Sequence, residues 1–142
     1  MDNKIQVTID IIIHATEDIS KFFDALNQLF EIEQEKILVQ ELKGHFDNPI
    51  TTLHAKFSKK DAKKIVGKIV SNLTESQERE LIDSLEQRIQ NSTLHLRFDK
   101  QKLVQGNIDF REKDPVKIKI FTPIYTKKDA VKIFSELLKK TN

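Results

Sequence analysis

From Lys4 to His14 the chain alternates strictly enough to fix its conformation: Ile5, Val7, Ile9, Ile11 and Ile13 fall on one side of an extended backbone, Gln6, Thr8 and Asp10 on the other. Successive side chains of a strand point to opposite faces, so this stretch must bury one face and leave the other wet. Ile12 breaks the pattern on the polar side, which predicts partial cover of that face. The alternation returns three times more, first where Leu53, Ala55 and Phe57 oppose His54 and Lys56. Leu94, Leu96 and Phe98 oppose Thr93, His95 and Arg97, and Val116, Ile118 and Ile120 oppose Lys117 and Lys119. Strands of this kind build antiparallel sheets with one packed and one solvated face.

Between the strands the apolar period changes to that of a helix. Thr16 is placed to cap a helix burying Ile19, Phe22, Phe23, Leu26, Leu29 and Phe30, and Ser58 one burying Ala62, Ile65, Val66, Ile69, Val70 and Leu73. Thr74 to Gln77 has the form of a capping box and opens a third helix with Leu81, Ile82, Leu85 and Ile89. That helix ends in the polar stretch Gln90 to Ser92. Thr126 caps a last helix with Ala130, Ile133, Phe134, Leu137 and Leu138 inward. The turn-rich stretch Glu41 to Ile50 reverses the chain between strands at Lys36–Leu42 and Ile50–Phe57, with His45 and Phe46 at its tip. Asp99 to Gly106 reads as a polar connection and Asn107 to Phe110 as a short strand. The expected fold is α+β, one domain over residues 1–142, a largely antiparallel sheet with helices packed on one face. Its order is β-α-β-β-α-α-β-(β)-β-α.

Composition narrows the function. Without cysteine there is no disulfide framework, no thiolate nucleophile and no cysteine zinc site, and with three glycines there is no phosphate-cradling loop. The four histidines are dispersed, none with a second ligand at helical spacing, and no cofactor or metal is expected. No strained serine elbow is visible; His14 and His45, both near strand ends, are the one acid–base pair left open, and the chain is expected not to be an enzyme. The start of the chain lacks a basic segment followed by a long apolar one, and no run approaches a membrane span. A cytoplasmic protein without membrane contact is expected.

Net charge is +2, but it is unevenly spread: residues 1–48 carry −6, 49–73 carry +5, 74–92 carry −3 and 93–142 carry +6. Were folding to bring the two basic segments together, the result would be a basic face suited to a polyanion. The solvated sheet face would carry His54, Lys56, His95, Arg97, Lys117 and Lys119 if their strands are neighbours, which suits single-stranded RNA.

Three motifs, His14-Ala-Thr-Glu-Asp18, then Glu41-x-x-Gly44-His45-x-x-Asn48-Pro49-Ile50, then Leu96-Arg97-Phe98-Asp99-Lys100-Gln101 followed by Gly106, occur in that order. Over nearly the whole chain the sequence resembles an archaeal RNA-binding family described as predicted exosome subunits. Its fold is similar to that of the ribosomal protein which binds the small RNA of the large subunit. The chain departs from the family's pattern at Asp47, where glycine is expected. The resemblance implies RNA as partner, with exosome or ribosomal components, and an accessory role in RNA processing.

On that reading Arg97, Lys100, Lys117 and Lys119, with Lys56, Lys59, Lys60 and Lys63, supply phosphate contacts, while His45, Phe46, Asn48 and Gln101 touch bases or sugars. Reversing Arg97 and Lys100 to glutamate is then expected to weaken RNA binding and leave the melting temperature nearly unchanged. The alternative is a protein-interaction module docking through the acidic first half or a sheet edge, with RNA contact incidental; independently of that choice, the stretch Glu41–Ile50 also reads as a structural turn alone.

Overall fold

The predicted alternation becomes strand β1, Gln6–His14, with Val7, Ile9, Ile11 and Ile13 buried. Ile12 is 43% exposed, so the cover its side chain predicted is not there. The computed structural model describes residues 4–43, 48–123 and 126–139. After β1 come α1 (Ile19–Phe30), β2 (Leu38–Lys43), β3 (Pro49–Ser58), α2 (Lys59–Asn72), α3 (Glu75–Asp83), α4 (Leu85–Arg88) and β4 (Ile89–Gln90). Then follow β5 (Thr93–Phe98), α5 (Lys100–Val104), β6 (Val116–Phe121) and α6 (Lys127–Leu137). The six strands form one open antiparallel sheet in the order β2-β3-β1-β6-β5-β4, the α+β architecture expected from the alternation. The chain divides into two compact units that each draw on these strands.

One unit comprises Thr8–Lys56 and Arg97–Ile118. Its buried sheet residues include Ile9, Ile11, Leu53, Ala55, Phe98, Val116 and Ile118, and α1 packs on α5. Helix α1 begins two residues later than the sequence suggests. Thr16 lies in a turn where Glu17 N donates to His14 O, and Asp18 is the cap. The hydroxyl and backbone N–H of Ser20 donate to Asp18 Oδ1 at 2.7 and 3.0 Å, and hold this exposed carboxyl below the usual carboxylate range. The connection after β5 is more ordered than its polar sequence implies. Asp99 Oδ1 accepts from Lys102 N and starts the short helix α5, and Gly106 ends it at φ +86°, where a side chain would be strained. The short strand expected at Asn107–Phe110 reduces to one bridge between Phe110 and Phe98, whose rings stack at 5.6 Å.

The other unit runs through Phe57–Leu96 with the chain up to Val7 and from Lys119 onward. Here α2 buries Ala62, Ile65, Val66, Ile69 and Val70, and α4 packs on α6. Ser58 precedes α2 as expected, but its side chain makes no capping bond. The capping box of α3 is complete: Gln77 N donates to Thr74 Oγ1 at 3.1 Å, and Thr74 N to Gln77 Oε1 at 3.0 Å. Thr74→Ala is therefore expected to lower stability by about 1 kcal/mol, read as a urea midpoint shift with unchanged slope; no shift would show that α3 does not depend on its cap. The stretch Gln90 to Ser92 does more than end a helix. Ile89 and Gln90 pair with Leu94 and Thr93, and Asn91 and Ser92, both at positive φ, form the two-residue turn between β4 and β5.

Candidate functional site

Two of the three motifs meet in the first of these units. Lys100, at the start of α5, points into the protein and is 5% exposed. Its ammonium donates to Ile12 O, to Glu17 Oε1 at 3.0 Å and to Asp114 Oδ2 at 3.2 Å. His14 closes the cluster: its Nε2 faces Asp114 Oδ2 at 3.1 Å, and its backbone N–H donates to Glu17 Oε1 at 2.8 Å. An ammonium has three protons to give, and all three are used. Asp114 lies at φ 48°, in the left-handed region that aspartate tolerates better than most side chains, and its carboxylate is held by both Lys100 and His14.

The ligand atoms of His14, Glu17 and Asp114 lie within 4.8 Å of one another, close enough to hold a metal ion. The cluster already contains a cation. Lys100 touches both carboxylates, and a divalent ion between them would meet the ammonium at contact distance. The arrangement instead ties the end of β1 to the segment before β6 and to α5. Sequence reasoning missed Glu17 and Asp114 because they lie 83 and 14 residues from Lys100.

Beside this cluster the solvated face of the sheet carries a concavity of about 440 Å³. Strand residues Asp10, Ile12, Thr52, Arg97 and Lys117 line it, and Glu112, Asp114 and Pro115 add to it from the segment before β6. Most charged groups here are paired. Asp10 Oδ1 lies 2.6 Å from His54 Nδ1, and Arg97 lies 3.7 Å from Glu112, outside hydrogen-bond distance. Among the described residues no ion pair engages Lys117, which is exposed.

Arg97 and Lys117 reach the concavity; Lys56 and Asn48 are exposed on or beside β3, and Gln101 is exposed on α5. Lys119 is exposed on β6, and Lys59, Lys60 and Lys63 are exposed on α2, all four in the other unit. His45 and Phe46, with Gly44 and Asp47, lie outside the described residues. Lys100 is a correction: its ammonium is given to the protein's own carboxylates, so reversing it cannot leave the melting temperature unchanged. Among the described residues no helix is long and apolar enough to cross a membrane.

A family model described as RNA binding matches residues 6–122. An uncharacterized protein of Methanocaldococcus jannaschii is 33% identical over 129 residues, covering 82% of this chain and 86% of its own. An RNA-binding protein of Pyrococcus abyssi is 30% identical over 133 residues, covering 88% and 86%. The crystal structure of a protein from Archaeglobus fulgidus matches with a TM-score of 0.77 at 31% identity, covering 93% of this chain and 97% of that one.

Proposed function

Because the chain belongs to the RNA-binding family, we propose that it is a non-catalytic RNA-binding protein, an accessory in archaeal RNA processing that works with exosome or ribosomal components. The likeness of its fold to the ribosomal protein that binds the small RNA of the large subunit is part of the same proposal. The observation that carries the reading is Arg97 and Lys117 on the solvated face of the sheet, one loosely held and the other outside any described ion pair, in a chain of this family. Phosphates are drawn to cations left available in this way, and such contacts set affinity and orientation. Lys56 on β3, and Lys59, Lys60, Lys63 and Lys119 in the other unit, extend the set of candidate phosphate contacts. Gln101 and Asn48 are exposed and suited to sugar or base edges; His45 and Phe46 belong to the proposal on their chemistry alone.

Fluorescence anisotropy with a short single-stranded RNA and a structured RNA, over a series of salt concentrations, tests this. On the single strand, if Arg97 and Lys117 act alone, the slope of log affinity on log salt is expected to be about −1.4; all seven candidate contacts named above would bring it to roughly −5. Absence of binding to both RNAs at low salt sinks the proposal.

One observation favours a second reading, a protein-docking module. Strand β2 is one of the two outer strands of the sheet, and Leu38, Val39 and Leu42 on it are 64%, 43% and 47% exposed. A free edge with apolar side chains suits a partner strand. Pull-down of a partner complex that β2 charge substitutions abolish, without RNA binding, would transfer the function to this edge.

A further inference from the structure

The concavity beside Lys100 is lined by three carboxylates, Asp10, Glu112 and Asp114, and two cations, Arg97 and Lys117. A phosphate seated inside it would face more negative charge than positive. A neutral ring rich in hydrogen-bond donors would not. Ile12 offers the ring an apolar surface: it is 43% exposed at a position where strand alternation calls for a polar residue, and Pro115 adds a second apolar contact. The volume of about 440 Å³ admits one base with its ribose.

We propose that this concavity takes a single extruded guanine base of a bound RNA strand, read by the Glu112 carboxylate; the inference rests on the RNA-binding reading above. An ionised carboxylate only accepts hydrogen bonds, and guanine presents two adjacent donors, N1–H and the N2 amine, that match its two oxygens. Adenine, cytosine and uracil each present one donor group on the corresponding edge. Glu112 is suited to this because its side chain is 77% exposed and its ion pair with Arg97 is 3.7 Å long, so it can turn to a ligand without breaking a hydrogen bond. Asp10, with one oxygen held by His54, keeps the other for the ribose hydroxyl or the remaining N2 proton. Ile12 and Pro115 pack on the base, and Arg97 and Lys117 meet the phosphates on either side of it.

The test uses A-rich heptanucleotides with G, inosine, A, C or U at the central position, titrated by anisotropy at one low salt concentration. Guanine is expected to bind about tenfold tighter than uracil, the lower part of the range for a bidentate pair, and inosine, which lacks the N2 amine, to lose most of that advantage. Glu112→Gln is expected to abolish the guanine-to-uracil and guanine-to-inosine affinity ratios, even though the loss of one carboxylate beside Arg97 raises the affinity for every strand. Equal affinity for all central bases, with salt-dependent binding retained, overturns the guanine site and leaves the RNA-binding reading standing. No binding of any strand overturns both. A preference for guanine that survives in Glu112→Gln, at unchanged melting temperature, removes the carboxylate from the readout and overturns the assignment.

Discussion

Replacing Lys100 with methionine is expected to lower stability by about 3 kcal/mol, a fall in melting temperature of roughly 10 °C for a chain of this size. Methionine keeps the volume of the lysine stem, so the loss would not be a cavity effect. What disappears is the ammonium, and with it the donor to Ile12 O and the counter-charge to Glu17 and Asp114. Removing one partner of a buried pair leaves the other charge uncompensated, at about 3–5 kcal/mol. The lower end applies because Glu17 is 18% exposed and Asp114 45%, so water recovers part of the loss. Lys100→Glu should be worse, since a third carboxylate then joins the cluster. Combining Lys100→Met with Glu17→Gln and Asp114→Asn should restore part of the stability, because fewer charges remain unpaired. Urea unfolding checks both. A loss below about 1 kcal/mol for Lys100→Met would show that the ammonium contributes no more than an exposed pair.

The contrast with the sequence reading lies in distance along the chain. The alternation of β1 and the capping box at Thr74 were legible because their causes are local: a period of two, and a hydroxyl three residues from the N–H it accepts from. The apolar spacing of Leu81, Ile82, Leu85 and Ile89 continues up to Asn91 and Ser92 and points to a helix end there, and nothing in that spacing shows two consecutive residues at positive φ. Lys100 sits in a run of polar residues, and a lysine in such a run looks exposed until the fold delivers Glu17 and Asp114 to it. The same holds for the solvated face. Its basic residues were visible one strand at a time, but the carboxylates that share it were not: Asp10 meets His54 across 44 residues, and Glu112 meets Arg97 from the segment before β6. The face is therefore mixed in charge, not uniformly basic. Ile12 was legible as an exception, and its reason was misjudged: the side chain stands open at the concavity.

Reversing Arg97 and Lys117 together to glutamate is expected to weaken binding to single-stranded RNA by about 30- to 100-fold at low salt and to flatten the salt slope by about 1.4. The effect is large because each change both removes a cation and adds an anion beside Asp10 and Glu112, turning a mixed surface into an acidic one. Stability should fall modestly. Arg97 loses only a 3.7 Å contact to a glutamate that is 77% exposed, no described ion pair holds Lys117, and the two new carboxylates repel Asp10 and Glu112 across a solvated face, so the melting temperature is expected to fall by roughly 3–5 °C, well short of the loss at Lys100. The parallel variant, Lys59, Lys60 and Lys63 to glutamate on α2, samples the other unit independently. If the α2 variant loses affinity while the Arg97 and Lys117 variant binds normally, the contact belongs to α2, and the solvated sheet face around Ile12 has no part in binding RNA.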